Sequence, residues 1–223
     1  MTAVVASPTD DPKRRRILDA ALSVGARSGI SAARMEEVAS EAGVSKGTLY
    51  RFFQSKEDLF LATLIDSYET GVRHVDARLP DESEPETRLR AVLEGLVGVL
   101  ERVGPRATLH YQAWGMVAAN PELNERLHGF LRAFHADRFD EFASLVVDGQ
   151  AAGRFRSDVD AATTAHAIGS LLSGFIYRSA FDPDAATPDA LRRCFDDLVG
   201  GLIAGSAPDP DSTPARPPEV PPT

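Results

Sequence analysis

The amino-acid sequence predicts an all-α protein, and three observations lead to that class. Apolar residues recur three and four positions apart along most of the 223 residues, as they do on one face of a helix. The pairs Gly104-Pro105 and Asn120-Pro121 interrupt these periodic stretches, as expected where helices end and begin. Near the amino end, residues 39–56 read as two short helices joined by a three-residue turn.

The first three predicted helices cover residues 13–28, 35–42 and 46–53. Gly29 ends the first helix. Gly43 ends the second, because glycine accepts the positive φ of a helix stop without a Cβ clash. Ser45 suits the cap of the third helix, since its hydroxyl can accept from a free amide. Leu49 then points to the core, and the opposite face of this helix carries Lys46, Gly47, Tyr50 and Arg51.

The remainder of the chain also reads as helical. A long helix starts after Ser55 and links the first helices to the rest, and an acidic loop follows at 80–85. Beyond it we expect an amphipathic helix through 89–100, helices at 106–118 and 121–152, and a turn at 153–157. Two last helices carry apolar stripes at 168–176 and 191–203. Small residues that would allow close approach accompany them: Ala165, Gly169, Ser173 and Gly174.

The net charge of −9 is unevenly distributed. Residues 1–57 hold nine Lys and Arg against seven Asp and Glu, whereas the remainder holds 15 against 26. A basic amino end can bind a polyanion despite an acidic body, because charges are screened beyond about 8–10 Å at physiological salt. Residues 13–16 are either a solvated helix start or a phosphate-binding run.

The segment from residue 13 to 60 resembles the TetR family of transcriptional regulators. The matching residues are Ala39, Ala42, Gly43, Val44, Ser45, Gly47, Thr48, Leu49, Tyr50, Phe53, Ser55, Lys56 and Leu59. The resemblance implies an N-terminal three-helix DNA-binding domain, followed by a helical ligand-binding and dimerisation domain. It also implies a homodimer on a palindromic operator, and release by a small-molecule effector. Repression is the outcome usual for the family.

Roles for single residues follow from the same resemblance. Residues 45–48 (Ser45, Lys46, Gly47 and Thr48) would contact the DNA backbone and base edges. Tyr50 and Lys56 would bind phosphates, and Arg51 would read a base, with Arg34 and Phe52 completing the interface. The chain departs from the family pattern at Ala33, where a capping Thr is common, so the cap is missing or comes from Ser31. At positions 52 and 53 we expect Phe53 in the core and Phe52 near the DNA backbone.

The second domain is expected to hold the effector and the dimer contact. Pockets between helices are lined by aromatic side chains with a few polar groups. Candidates are His110, Tyr111, Trp114, Phe134, His135, His166 and Phe175, although the same residues can be ordinary core side chains. The last two helices would form the dimer interface, or bury their stripes within one chain.

Composition limits the remaining possibilities. A single cysteine, Cys194, fits a reducing cytoplasm, and no signal peptide or membrane-spanning run is visible. The predicted organisation is an arm at 1–12, the DNA-binding domain at 13–57, the helical domain at 58–205, and a disordered proline-rich tail at 206–223. We expect no cofactor and no metal site. The alternatives are a helical small-molecule-binding protein without operator binding, and an enzyme, although no catalytic motif is present.

Overall fold

The computed structural model describes residues 11–80 and 84–203, and every regular element within them is helical. The helices are α1 (Pro12–Ser28), α2 (Met35–Glu41), α3 (Lys46–Phe52), α4 (Lys56–Asp76), α5 (Pro85–Val103), α6 (Ala107–Ala118), α7 (Pro121–Ala151), α8 (Ala161–Ser179) and α9 (Pro188–Leu202). One 3₁₀ turn, Gly104–Arg106, joins α5 to α6. The all-α prediction is confirmed. Most of the predicted arm at 1–12 and the tail at 206–223 lie outside the described residues.

Side-chain caps set the starts of most of these helices. The Asp11 carboxylate accepts from the Lys13 amide at 2.8 Å, so this end of the predicted arm caps α1. Ser45 accepts from the Thr48 amide, and Asn120 caps α7 ahead of Pro121, both as predicted. Helix α2 lacks a side-chain cap, because Arg34 occupies the cap position and its guanidinium cannot accept a hydrogen bond from a helix amide. Ser31 therefore does not replace the missing threonine.

The buried apolar side chains form two clusters. The first joins α1, α2, α3 and the start of α4 to α6 and the first half of α7. The second joins the end of α4 to α5, α8, α9 and the second half of α7. The N-terminal helices thus share a core with α6 and α7, while the domain boundary at 57–58 stays a prediction. Within the described ranges, no helix combines the length and the apolar character needed to cross a bilayer.

The small residues of α8 divide between two environments. Gly169 packs against Phe139 of α7, where an added Cβ would lie 2.6 Å from the ring. Ala165 is fully buried. An added Cβ at Gly174 would meet nothing within 4 Å, so this part of α8 remains open on the surface. Close packing within the chain therefore uses only some of these positions.

Candidate functional site

The outward face of α3 carries exposed cations and a tyrosine on a rigid base. Leu49 is fully buried, which fixes the rotation of the helix about its axis. Lys46, Gly47 and Arg51 are consequently exposed, and Tyr50 keeps 42% of its surface accessible. Gly43 adopts φ 64° in the preceding turn, as the turn chemistry predicted. The polar face of α3 is thus presented to solvent.

Two side chains of this face already have partners. The Lys46 ammonium lies 2.5 Å from a carboxylate oxygen of Glu36 on α2, and 5.8 Å from the centre of the Tyr50 ring. The hydrogen bond raises the pKa of Lys46 and lowers that of Glu36. Both charged side chains are 59% exposed, so the pair is solvent-screened and can exchange its partner. A phosphate that reached Lys46 would therefore compete with Glu36.

Lys56 and two arginines at the start of α1 make contacts within the protein that the sequence did not predict. The Lys56 ammonium donates to the Ser31 carbonyl at 2.8 Å and ties the start of α4 to the loop before α2. Arg15 forms an ion pair with Asp66 of α4 at 2.7 Å. The Arg14 guanidinium lies 5.7 Å from the centre of the Phe53 ring. Residues 13–16 were expected to be either a solvated helix start or a phosphate-binding run, and neither expectation included these contacts of Arg14 and Arg15 within the protein.

The end of α3 distinguishes its two phenylalanines. Phe53 is 3% exposed and belongs to the first cluster, as predicted. Phe52 is only partly buried, and the Arg51 guanidinium lies 5.7 Å from its ring centre. The aromatic ring therefore supports the arginine beside the surface. Arg34, at the start of α2, is exposed.

A cavity of about 380 Å³ lies between α4, α5, α6, α7 and α8. We call it the aromatic cavity. Five of the seven candidate ligand contacts line it: His110, Tyr111, Trp114, Phe134 and His135. His166 and Phe175 are not among the lining residues; His166 instead packs on the Phe139 ring at 4.3 Å between centroids. Contact of any of the seven with a ligand remains a prediction.

Tyr68 of α4 also lines the aromatic cavity, although it is not among the seven predicted contacts. Its ring lies 5.2 Å from Phe134 and 5.8 Å from His110, measured between centroids. The periodic pattern of α4 could not distinguish a core tyrosine from a cavity tyrosine, because both lie on the buried face of the helix. Arg138 and Phe139 of α7 line the cavity as well and are not among the predicted contacts.

Burial keeps the cavity histidines neutral. It lowers the pKa of His110 to about 4. The pKa of His135 is also lowered, first by burial and then by the neighbouring His166. Arg138 is the one lining residue with a permanent charge among those described, and its guanidinium pairs with Glu141 at 2.7 Å. The interior therefore offers aromatic faces and neutral polar atoms rather than a net charge.

Comparison with known proteins agrees with this geometry. The profile described as "Bacterial regulatory proteins, tetR family" matches residues 17–63. The profile described as "BetI-type transcriptional repressor, C-terminal" matches residues 85–204, more than half of the chain. The chain belongs to the TetR family of bacterial regulatory proteins. It is therefore a helix-turn-helix transcriptional regulator by family, as its residues 39–56 suggested.

Individual TetR-family relatives span nearly the whole chain. The regulator UidR of Escherichia coli K12 is 25% identical over 201 residues, covering 87% of this chain and 95% of its own. BetI of Cronobacter sakazakii is 26% identical over 201 residues, covering 88% and 93%. A solved regulator from Saccharomonospora viridis in complex with choline is 26% identical, with a TM-score of 0.65 and coverages of 85% and 96%.

The Lys46–Glu36 contact gives a prediction for DNA affinity. Glu36→Gln removes the carboxylate that competes for Lys46, so affinity for a mixed-sequence duplex should rise about two- to fivefold at moderate salt. Glu125→Gln is the control, because Glu125 pairs with Arg132 at 3.0 Å on exposed α7 and the charge change is identical. Fluorescence anisotropy of a labelled duplex measures both. An equal gain in the two variants would contradict a position of Lys46 at the DNA.

The low pKa of His110 makes the protein less stable in acid. The unfolded chain binds a proton near pH 6.5 and the folded chain only near pH 4, so stability falls as the pH drops between these values. The loss is on the order of 3 kcal/mol for a shift of this size. Urea titrations from pH 7 to 4 should show a shallower decline for His110→Gln. The control His128→Gln, at an exposed histidine of α7, should keep the wild-type profile.

Proposed function

We propose that this protein is a repressor that binds a palindromic operator as a homodimer and is released by a small-molecule effector in the aromatic cavity. The observation that carries the proposal is the outward face of α3, with Lys46, Tyr50 and Arg51 exposed above a buried Leu49. A helix of this kind enters the major groove by its first residues. Ser45, Thr48, Arg34, Phe52 and Lys56 would complete the contact with the DNA.

The proposed dimer uses the last two helices, α8 and α9. Around Gly174 the surface of α8 is open, and Ser170 and Ser173 beside it are exposed and small. Tyr177 on the same helix is 53% exposed and Phe181 just after it is 69% exposed. Small residues with flanking exposed aromatics suit a close helix-to-helix contact between copies. A twofold axis here would present two copies of α3 to one face of DNA.

The proposed effector carries an apolar or quaternary ammonium group. Aromatic rings bind an apolar group by packing against it, and they bind a cation by its attraction to the ring faces. Neither group then needs a carboxylate as partner. The cavity supplies six such rings, from Tyr68, Tyr111, Trp114, Phe134, Phe139 and Phe142. The choline complex of the Saccharomonospora viridis relative supports this class. We propose that the effector acts by regulation and not by turnover, in the bacterial cytoplasm where the operator lies.

The effector would act through a population shift. Helix α4 carries Tyr68 in the cavity wall and begins at Lys56 beside the first helices. A ligand that prefers one position of α4 changes the spacing of the two α3 helices and lowers operator affinity, typically by about 1–3 kcal/mol.

Removal of the groove-facing side chains tests the proposal. The double variant Tyr50→Ala/Arg51→Ala leaves Leu49 and Phe53 in the core, so the fold should persist while DNA affinity falls at least about tenfold. In a separate Lys56→Ala variant, the slope of log affinity against log salt should become shallower by about one unit, because one phosphate-binding cation is lost. Arg132→Ala on exposed α7 is the control for loss of charge. Unchanged DNA affinity in a folded double variant would refute the proposal.

A further inference from the structure

A second cavity, of about 210 Å³, lies between α1, α4, α5 and α6. We call it the junction cavity, because it adjoins both the N-terminal helices and the helices around the aromatic cavity. The residues that border both cavities are Ser67, Gly71, Val99, Val103 and His110. The two cavities are therefore adjacent and share part of their walls.

The junction cavity contains a buried carboxylate with unused hydrogen-bonding capacity. Asp66 is 6% exposed, and its Oδ2 accepts from the Arg15 guanidinium at 2.7 Å. Its Oδ1 is buried and has no hydrogen-bond partner among the described residues. A buried anionic oxygen without a donor is destabilising, because it has lost water without gaining a replacement. The free oxygen can thus accept a hydrogen bond from a donor bound in the cavity.

The opposite charge lines the same cavity. Arg102 and Arg106 are exposed, line the junction cavity and form no ion pair with any described residue. With Arg15 they give three cations, against the two carboxylates of Asp19 and Asp66. Guanidinium groups in this position bind carboxylates well, since their planar donors match the two oxygens.

Apolar side chains form the remaining wall. Leu22 of α1, Phe60 and Leu64 of α4, and Leu109 and Ala113 of α6 all line the junction cavity. The volume lies below the roughly 300–1,000 Å³ of pockets for drug-sized ligands, so the occupant is small. The cavity therefore combines a buried carboxylate oxygen without a partner, two guanidinium groups without a described ion pair, and an apolar wall within a small space.

We propose that the junction cavity binds a small α-amino carboxylate with an aliphatic side chain. The ammonium would donate to Asp66 Oδ1, the carboxylate would accept from Arg102 and Arg106, and the side chain would pack on the apolar wall. Asp66 keeps its ion pair with Arg15 in this arrangement, so the ligand would join α4 to the end of α5 and leave the contact between α1 and α4 intact. This site is separate from the effector site of the aromatic cavity and does not depend on it.

Three matched probes test the proposal by isothermal titration calorimetry on the full chain. L-valine carries both charged groups, 3-methylbutanoate lacks the ammonium, and L-valinamide lacks the carboxylate. L-valine should bind at least about tenfold more tightly than either analogue, because each analogue loses one charged contact. Undetectable binding of L-valine at millimolar concentration would overturn the proposal, as would equal affinities for the three probes.

Variants then assign the two contacts. Arg102→Gln/Arg106→Gln changes only exposed side chains, and should weaken L-valine at least about tenfold while leaving L-valinamide unchanged. Asp66→Asn should abolish the preference of the protein for L-valine over 3-methylbutanoate. Arg132→Gln is the charge control, and Phe134→Leu in the aromatic cavity should leave L-valine affinity intact. A loss of L-valine binding in Phe134→Leu would place the ligand in the aromatic cavity and contradict the assignment.

Discussion

The structure depends on the burial of α4 along most of its length. This 21-residue helix contacts α1, α5, α6 and α7, and would be about 32 Å long at the usual rise per residue. Its first turns place Leu59, Phe60 and Leu61 in the first cluster, whereas Val75 near its end belongs to the second. A helix held in two cores cannot move at one end without disturbing the packing at the other. That constraint links the position of the N-terminal helices to the helices that enclose the cavities.

Both cavities are built against this helix, and they differ in chemistry. The aromatic cavity has neutral histidines, and its Arg138 is paired with Glu141. It therefore suits an apolar or quaternary ammonium ligand that needs no ionic partner in the protein. The junction cavity has Asp66 with a free oxygen and two arginines without described partners. Ser67 and Gly71 of α4 border both. A ligand in either cavity would therefore bear on the same two turns of α4, close to the ion pair that joins it to α1.

Local chemistry made the helices predictable, whereas contacts between distant residues were not. Gly43 and Ser45 act within one turn of chain, so their φ and capping roles follow from residue type alone. The Lys46–Glu36 and Arg15–Asp66 pairs depend on how helices cross, and sequence spacing does not reveal them. The prediction of cavity-lining residues is limited in the same way, because the lining also depends on how the helices pack. Tyr111 and Trp114 were predicted and line the aromatic cavity, whereas Tyr68 lines it without having been predicted, and His166 and Phe175 lie outside the lining.

In the proposed regulator, two copies of α3 read one DNA site as a symmetric pair. Selection of bound duplexes from a random-sequence library by the purified full chain tests it most directly. We expect enrichment of an inverted repeat whose half-site centres lie about one helical turn, 34–36 Å, or a multiple of it apart. The Tyr50→Ala/Arg51→Ala protein should enrich no sequence in the same selection. Failure of the wild-type protein to enrich any sequence, or enrichment of a single asymmetric site, would contradict the recognition of DNA by a symmetric pair of α3 helices.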